Sequence, residues 1–180
     1  MGKQISKYFI ITALFFYFIG CIEGVMMPTK FLFKGLYTSL LHIPPDQLKS
    51  FFGYFVTKIH THINLIGWSG SALMGILYYI APLISGKERY IRWAAYTNWA
   101  GNTFGLILIT IGFHLIGVFG LSSGFEVGSP QFRAVGTPYR NLVAAGGVLV
   151  LISTILFICN IIRTLFASPE DRNDLPGNSN

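Results

Sequence analysis

Long runs of apolar residues, separated by short polar segments, dominate the sequence. A helix needs roughly 20 residues to cross a hydrocarbon core about 30 Å thick. Four of the apolar runs reach that length, at residues 8–27, 59–84, 91–118 and 142–166. The pattern predicts an all-α fold, an integral membrane four-helix bundle that forms a single domain over residues 1–166.

The segments between the apolar runs predict surface and irregular structure. Residues 30–55 mix Lys with Phe, Leu and Tyr and contain a helix-start signal, PPDQ, so we expect one or two short helices in the membrane interface. Residues 121–141 are rich in Gly, Pro and Ser, which predicts an irregular loop. Residues 167–180 show no apolar period and are predicted to be a disordered tail.

Composition agrees with a lipid environment, because 52% of the residues are hydrophobic and only 11% are charged. The formal net charge is +6, but the basic residues lie at the ends of the apolar runs, where they meet headgroups. No nucleic-acid partner follows from this charge. Basic residues directly at the ends of the apolar runs are concentrated on the side that carries the two chain termini. Because such residues are enriched on the cytoplasmic side of a membrane, we predict that both termini are cytoplasmic. These are Lys3, Lys7, Lys87, Arg89, Arg92 and Arg163.

Ionisable residues inside an apolar run are costly and therefore point to a role. His60 and His62 open the second run, and His114 lies near the end of the third. The connection between these runs is short, so the two helices are antiparallel and their histidines lie at the same depth. A haem iron can take two axial imidazoles that face each other across one plane. The shared depth therefore predicts a haem site near the outer face, with His60 and His114 as ligands of the iron.

The helical period separates the two neighbouring histidines. At 100° per residue, His60 and His62 lie about 200° apart, so they cannot bind one iron together. The face of His60 continues through small or polar residues, which allow a flat group or another helix to approach closely. It consists of Asn64, Gly67, Ser71 and Gly75. His62 continues into an ordinary packing face, so it is the weaker ligand candidate. Thr110, one turn from His114, is placed to accept from the second ring nitrogen of that histidine.

Other interpretations of the same residues remain open. Small residues spaced four apart often form helix-packing seams, which is the alternative for Gly67 and its row. Histidines near the interface, His42 and His62 here, can simply reach the headgroups. Glu23 can extend to the surface, or it can act as a partner of a histidine or a proton relay.

The second apolar run also resembles a known family. Its histidine, glycines, tyrosine pair and proline resemble the second helix of the catalytic subunit of the haem–copper oxidase superfamily, especially the high-affinity cytochrome c oxidases and the nitric oxide reductases. The matching positions are His60, Thr61, Gly67, Gly70, Met74, Gly75, Tyr78, Tyr79 and Pro82. The opening with His60, His62, Asn64, Leu65, Gly67 and Trp68 is similar to that of short four-span proteins labelled subunit I-like. The resemblance implies that His60 is an axial ligand of a low-spin haem.

The departures from that family limit the expected activity. In a full catalytic subunit, later helices supply the copper histidines, the high-spin haem ligand and the second low-spin ligand. This chain has four histidines in all. We therefore expect no oxygen or nitric oxide reduction by this polypeptide alone, and at most a role as an electron-transfer subunit.

Two functions follow as hypotheses. The first is a bacterial inner-membrane b-type cytochrome subunit, in which His60 binds haem b and His114, or a histidine of a second copy or another subunit, completes the site. It would exchange electrons within a respiratory complex, with a cytochrome c or a quinone as partner. The second is a haem-free structural or assembly subunit of such a complex, in which the small-residue face is a docking seam.

Overall fold

The computed structural model describes residues 1–166, which form a bundle of helices. In chain order these are α1 (Gly2–Met26), α2 (Lys30–Gly35), α3 (Leu48–Ser85), α4 (Arg92–Ser122) and α5 (Pro130–Leu165). All except α2 are long and apolar enough to cross a membrane. The predicted all-α membrane bundle of four spanning helices is thereby confirmed. The predicted disordered tail lies outside the described residues.

The segment between α1 and α3 differs in part from the prediction. A surface helix is present as α2, which continues into a π-helical stretch, Leu36–Leu40. The sequence predicts one or two such helices, and the PPDQ signal does not start a second one. Instead, this signal starts α3 itself at Leu48, and the helix continues without a break into the apolar run. The reason is that Phe51, Phe52 and Phe55 are buried in the bundle rather than spread on its surface.

The expected irregular loop before the last span is wrong for its second half, because α5 begins at Pro130. The Ser129 hydroxyl accepts a hydrogen bond from the Phe132 backbone N–H at 3.1 Å and so caps the helix. Proline is favoured at the first helical position, where its missing N–H has no partner to lose. Phe132 is buried against the neighbouring helices, so packing holds this first turn in place despite the glycines and Pro138 that follow.

The helix α3 contains two π-helical stretches, Phe51–Val56 and Ile63–Gly70. His60 and His62 lie in the α-helical segment Thr57–His62 between them. Single π-helical turns within α-helices are frequent at functional sites. The histidines therefore occupy an irregular part of α3, at the end of the bundle where α1 and α4 end and α3 and α5 begin. We call this the histidine end.

The helices α4 and α5 pack with their backbones in contact. A Cβ atom added to Gly146 would lie 2.5 Å from the Gly105 carbonyl oxygen, and one added to Gly105 would lie 2.7 Å from that of Gly146. Small residues allow helices in a membrane to approach this closely, where van der Waals contact rather than the hydrophobic effect holds them together. This contact fixes α4 relative to α5 near the middle of both helices.

Apolar clusters fill the two ends of the bundle. At the histidine end, an aromatic cluster joins the α2 region to the starts of α3 and α5, and its members include Tyr37, Phe51, Phe52, Phe55 and Phe132. At the opposite end, α1, α3, α4 and α5 meet around Phe9 and Tyr78. The aromatic cluster is what holds the connection between α1 and α3 against the spanning helices.

The contact between α4 and α5 yields a testable prediction. We expect Gly146→Ala to lower the free energy of unfolding by about 1–3 kcal/mol, because its Cβ overlaps the Gly105 carbonyl. Gly147→Ala is the matched control, since a Cβ there meets nothing within 4 Å. Thermal unfolding in one detergent, followed by circular dichroism, should show a lower Tm for the first variant alone. Equal Tm values would contradict the backbone contact.

Candidate functional site

His60 lies on the face of α3 that packs against α1. Its Nδ1 is 3.8 Å from Oε2 of Glu23, and a Cβ added to Gly24 would lie 3.4 Å from its Cε1. Asn64, one turn further along α3, contacts α1 at Gly20. The exposed fraction is 15% for the Glu23 side chain and 32% for the His60 side chain. The structure thus brings Glu23, His60 and Asn64 into one polar group between the two helices.

The Asn64 amide leaves both ring nitrogens of His60 available. Its Nδ2 donates to the His60 carbonyl oxygen at 2.8 Å and lies 3.2 and 3.3 Å from the ring atoms Nδ1 and Nε2. An atom at nearly equal distance from both nitrogens lies over the face of the imidazole, not along the in-plane direction that a hydrogen bond to either nitrogen requires. Asn64 therefore orients the ring without occupying Nε2.

Glu23 supplies the second feature of the site. Its Oε2 is buried and has no hydrogen-bond partner within residues 1–166, because 3.8 Å to His60 is too long for a hydrogen bond. Histidines that bind a metal commonly donate their other ring N–H to a carboxylate, which fixes the tautomer and orientation of the ring. A small rotation of either side chain would give Glu23 this role toward Nδ1 and leave Nε2 for an iron. These residues fit one axial ligand of a haem.

His62 faces the opposite side of α3. Its Nδ1 bonds to the Lys58 carbonyl oxygen at 2.8 Å, and its ring centroid lies 5.4 Å from that of Phe113 on α4. The structure therefore separates His60 and His62 onto different faces, toward α1 and toward α4. This agrees with the angular separation that the helical period predicts.

His114 lies in the aromatic cluster. Its ring centroid is 5.6 Å from that of Phe51 and 6.5 Å from that of Tyr37. The Thr110 hydroxyl is buried without a hydrogen-bond partner in the described part of the chain, so the bond predicted between Thr110 and His114 is not formed. His60 and His114 thus meet different neighbours at the histidine end. Their pairing across one haem stays a prediction.

Tyr37, which the sequence patterns did not single out, lies near both Glu23 and His114. It is buried, and burial raises the pKa of its phenol above the ordinary value, with the nearby Glu23 carboxylate raising it further. Its ring also packs against His114. Tyr37 precedes α3 by more than ten residues, in a segment that the sequence assigns to the surface. Its position near the histidines is therefore visible only in the structure, where this segment folds onto the bundle.

The small-residue row of α3 is a helix contact. A Cβ added to Gly67 would lie 2.7 Å from atoms of Phe16 and Leu106, and one added to Gly75 would lie 3.0 Å from Phe9. Gly67, which was predicted to line the cofactor, is therefore covered by side chains of α1 and α4, which leave no room for a flat group there. Its physical role in this structure is to let these neighbours approach α3 closely.

The asparagines of α4 join the helices to one another. Asn98 accepts from the Tyr78 hydroxyl at 3.2 Å and donates to the Ser153 carbonyl at 2.9 Å. Asn102 donates to the Ser71 hydroxyl at 3.1 Å. Both side chains are fully buried. Because Asn98 bonds through both atoms of its amide, we assign it to helix packing. Asn102 bonds through Nδ2 alone, and its buried Oδ1 has no partner within residues 1–166.

No cluster of three or more His, Cys, Asp or Glu side chains that could hold a metal ion occurs within residues 1–166. A metal ion at His60 would thus need further ligands from a prosthetic group or from another chain. Four cavities of the bundle have volumes of about 290–490 Å³, and none of their linings includes a histidine.

Comparison with known proteins gives a match along most of the chain. The family model described as Cytochrome C and Quinol oxidase polypeptide I matches residues 4–176. A cytochrome c oxidase subunit 1 homolog of Agrobacterium tumefaciens (strain T37) is 23% identical over 177 residues, which cover 93% of this chain and 30% of that protein. Cytochrome c oxidase subunit 1 of Rhodobacter capsulatus is 24% identical over 168 residues, which cover 88% of this chain and 29% of that protein. No solved structure matches.

The contact of the His60 face with α1 can be tested by a disulfide. After the native Cys21 and Cys159 are changed to serine, we expect Gly20→Cys and Asn64→Cys to form a disulfide on mild oxidation. A Cβ at position 20 would lie 3.2 Å from Asn64 Cγ, which places the two Cβ atoms within bonding reach. Mass spectrometry of unreduced peptides measures the product.

The control replaces Leu65, which follows Asn64 and is exposed, by cysteine together with the same change at Gly20. It should not cross-link within one chain. Equal cross-linking of both pairs would show that α1 does not lie on the His60 face.

Proposed function

The chain belongs to the Cytochrome C and Quinol oxidase polypeptide I family, and from this premise we propose that it is a membrane b-type cytochrome subunit that transfers electrons within a respiratory complex. The observation that carries the proposal is the arrangement at His60, whose Nε2 is free of hydrogen bonds along its in-plane direction while Glu23 lies beside Nδ1. The chain spans less than a third of the length of its relatives, so their full activity is not assigned to it.

Each residue of the polar group has a distinct task in this proposal. His60 would hold the iron through Nε2, and Glu23 would accept a hydrogen bond from Nδ1–H, which would fix the tautomer. Asn64 holds the imidazole from above through its bond to the His60 carbonyl. When bound, haem b supplies reversible one-electron chemistry, whereas the protein contributes ligation, burial and tuning of the potential.

A second ligand to a haem iron could come from either of two sources in this proposal. His114 is the intramolecular one, but its ring packs against Tyr37 and Phe51. The His60 side chain keeps 32% of its surface exposed, so a histidine from a second copy or from another respiratory subunit could approach it. The geometry favours this second source. We further propose that the histidine end faces outward from a bacterial inner membrane, with a cytochrome c or a quinone as redox partner and both termini in the cytoplasm.

A haem-free structural or assembly subunit is the second candidate. The packing of Gly67 and Gly75 against neighbouring side chains favours it, because the small-residue face is already used to build the bundle. In this function, the exposed apolar surfaces of the spanning helices dock onto other respiratory subunits, and His60 serves only to pair with Glu23.

Replacing His60 and His62 one at a time tests which of the two histidines is the haem ligand. The protein is purified in mild detergent from cells that supply haem and the neighbouring subunits, and its reduced-minus-oxidised spectrum is recorded. We expect a b-type α band that is lost in His60→Ala and kept in His62→Ala, because only His60 carries the free Nε2 beside a carboxylate. The absence of any band in the unchanged protein would instead support the haem-free subunit.

The same spectra locate the second ligand. If His114→Ala changes a six-coordinate spectrum to a five-coordinate one, His114 is the partner. An unchanged six-coordinate spectrum assigns the partner to another chain.

Glu23 provides a further prediction. We expect Glu23→Gln to keep the α band but to lower the affinity for haem about 10-fold to 100-fold, because an amide oxygen orients His60 more weakly than a carboxylate does. Haem titration of the apoprotein measures the affinity. The control is Glu126→Gln, which neutralises an exposed carboxylate elsewhere at the histidine end. Equal affinity in both variants would remove Glu23 from the site.

A further inference from the structure

A cleft between α3, α4 and α5 at the histidine end is lined by positively charged side chains. It lies away from the proposed haem site. Its volume is about 440 Å³, which is within the range of pockets for small ligands. Three cations border it, Lys58 of α3 with Arg133 and Arg140 of α5. Most of the remaining lining is apolar or aromatic, including Phe113 and Phe132. We call this the basic cleft.

The three cations lack acidic partners. None of them forms an ion pair within residues 1–166, and the lining of the cleft includes no carboxylate. The Lys58 ammonium lies 3.9 Å from the centroid of the Tyr54 ring, and Arg133 Nε donates to the Gly128 carbonyl at 3.1 Å. The cleft therefore concentrates positive charge that protein groups do not neutralise.

Acidic residues of the same end do not compensate this charge. Asp46 and Glu126 line a different cavity, which shares only Val127 with the basic cleft. An anion entering the basic cleft would meet three cations and no carboxylate of the lining.

The depth of the cations matches that of lipid phosphates. Lys58 immediately precedes the apolar run 59–84, and Arg140 closely precedes the run 142–166. Basic residues at the ends of such runs lie at headgroup level. From there the cleft wall continues to Val143 and Ala144 on α5 and to Phe113 on α4, toward the apolar part of the bundle. Positive charge at the headgroup level and an apolar wall below it match the two parts of an anionic lipid.

We propose that the basic cleft binds one anionic phospholipid. Lys58, Arg133 and Arg140 hold its phosphate, and one acyl chain lies along Phe113 and Val143. Basic pockets between membrane helices are suited to anionic head groups because each nearby cation adds to the attraction. A soluble anion would gain nothing from the apolar wall, so the lining favours a lipid over free phosphate.

Native mass spectrometry of the delipidated full chain in mild detergent tests the proposal. Phosphatidylglycerol and phosphatidylcholine with identical acyl chains are the probes. We expect one phosphatidylglycerol to bind with a clear preference over phosphatidylcholine. Replacement of the cations, as Lys58→Met, Arg133→Gln and Arg140→Gln, should weaken phosphatidylglycerol binding about fivefold for each charge removed.

Two matched variants control for net charge and for folding. The first removes three charges from exposed lysines outside the cleft, by Lys30→Met, Lys34→Met and Lys49→Met, and should keep the preference. The second keeps the charge of the cleft, by Lys58→Arg, Arg133→Lys and Arg140→Lys, and should bind phosphatidylglycerol to within a small factor of the unchanged protein.

Several outcomes would overturn the proposal. Equal binding of the two lipids by the unchanged protein would show that the cleft does not select an anion. Equal losses in the cleft variant and in the exposed-lysine variant would show that net charge alone attracts the lipid. If inorganic phosphate displaces phosphatidylglycerol at equal concentration, the apolar wall contributes nothing and the site takes free anions.

Discussion

The backbone contact of α4 with α5 at Gly105 and Gly146 fixes the part of the bundle on which the other contacts depend. With α4 held there, Asn98 reaches the Ser153 carbonyl of α5 and accepts from Tyr78 of α3. The remaining helix, α1, then packs on α3. In a membrane, such close contacts and internal hydrogen bonds replace the hydrophobic driving force that holds a water-soluble bundle together.

The polar residues of the spanning helices divide into two groups by their bonding. Asn98 bonds to α3 and α5 through both atoms of its amide, which accounts for it as a packing residue. Glu23 keeps a buried oxygen without a partner, and the His60 imidazole beside it has a free in-plane direction at Nε2. Asn102 Oδ1 and Thr110 Oγ1 also lack partners within residues 1–166, so what distinguishes Glu23 is the imidazole 3.8 Å away. A buried carboxylate oxygen without a partner is costly, and beside an imidazole it fits a ligand site.

The two sides of α3 at the histidine end belong to two different proposed sites. His60 faces α1 and Glu23, whereas His62 faces Phe113, which also lines the basic cleft. Lys58 joins this second side, since its carbonyl bonds to His62 and its ammonium borders the cleft. The helix thus separates a candidate iron ligand from a candidate lipid site by about half a turn, and neither proposal requires the other.

The sequence by itself determined the four spanning helices, because apolar length is a local property, and it separated His60 from His62, because the helical period is local too. Ser129 followed by Pro130 is also a local signal for the start of α5. The Gly, Pro and Ser residues around it favoured a loop instead. Only the tertiary structure decided that Gly67 meets Phe16 and Leu106 and that His114 lies against Phe51. The physical reason is that depth along a helix follows from sequence spacing, whereas the neighbour that a face meets depends on how separate helices rotate and pack.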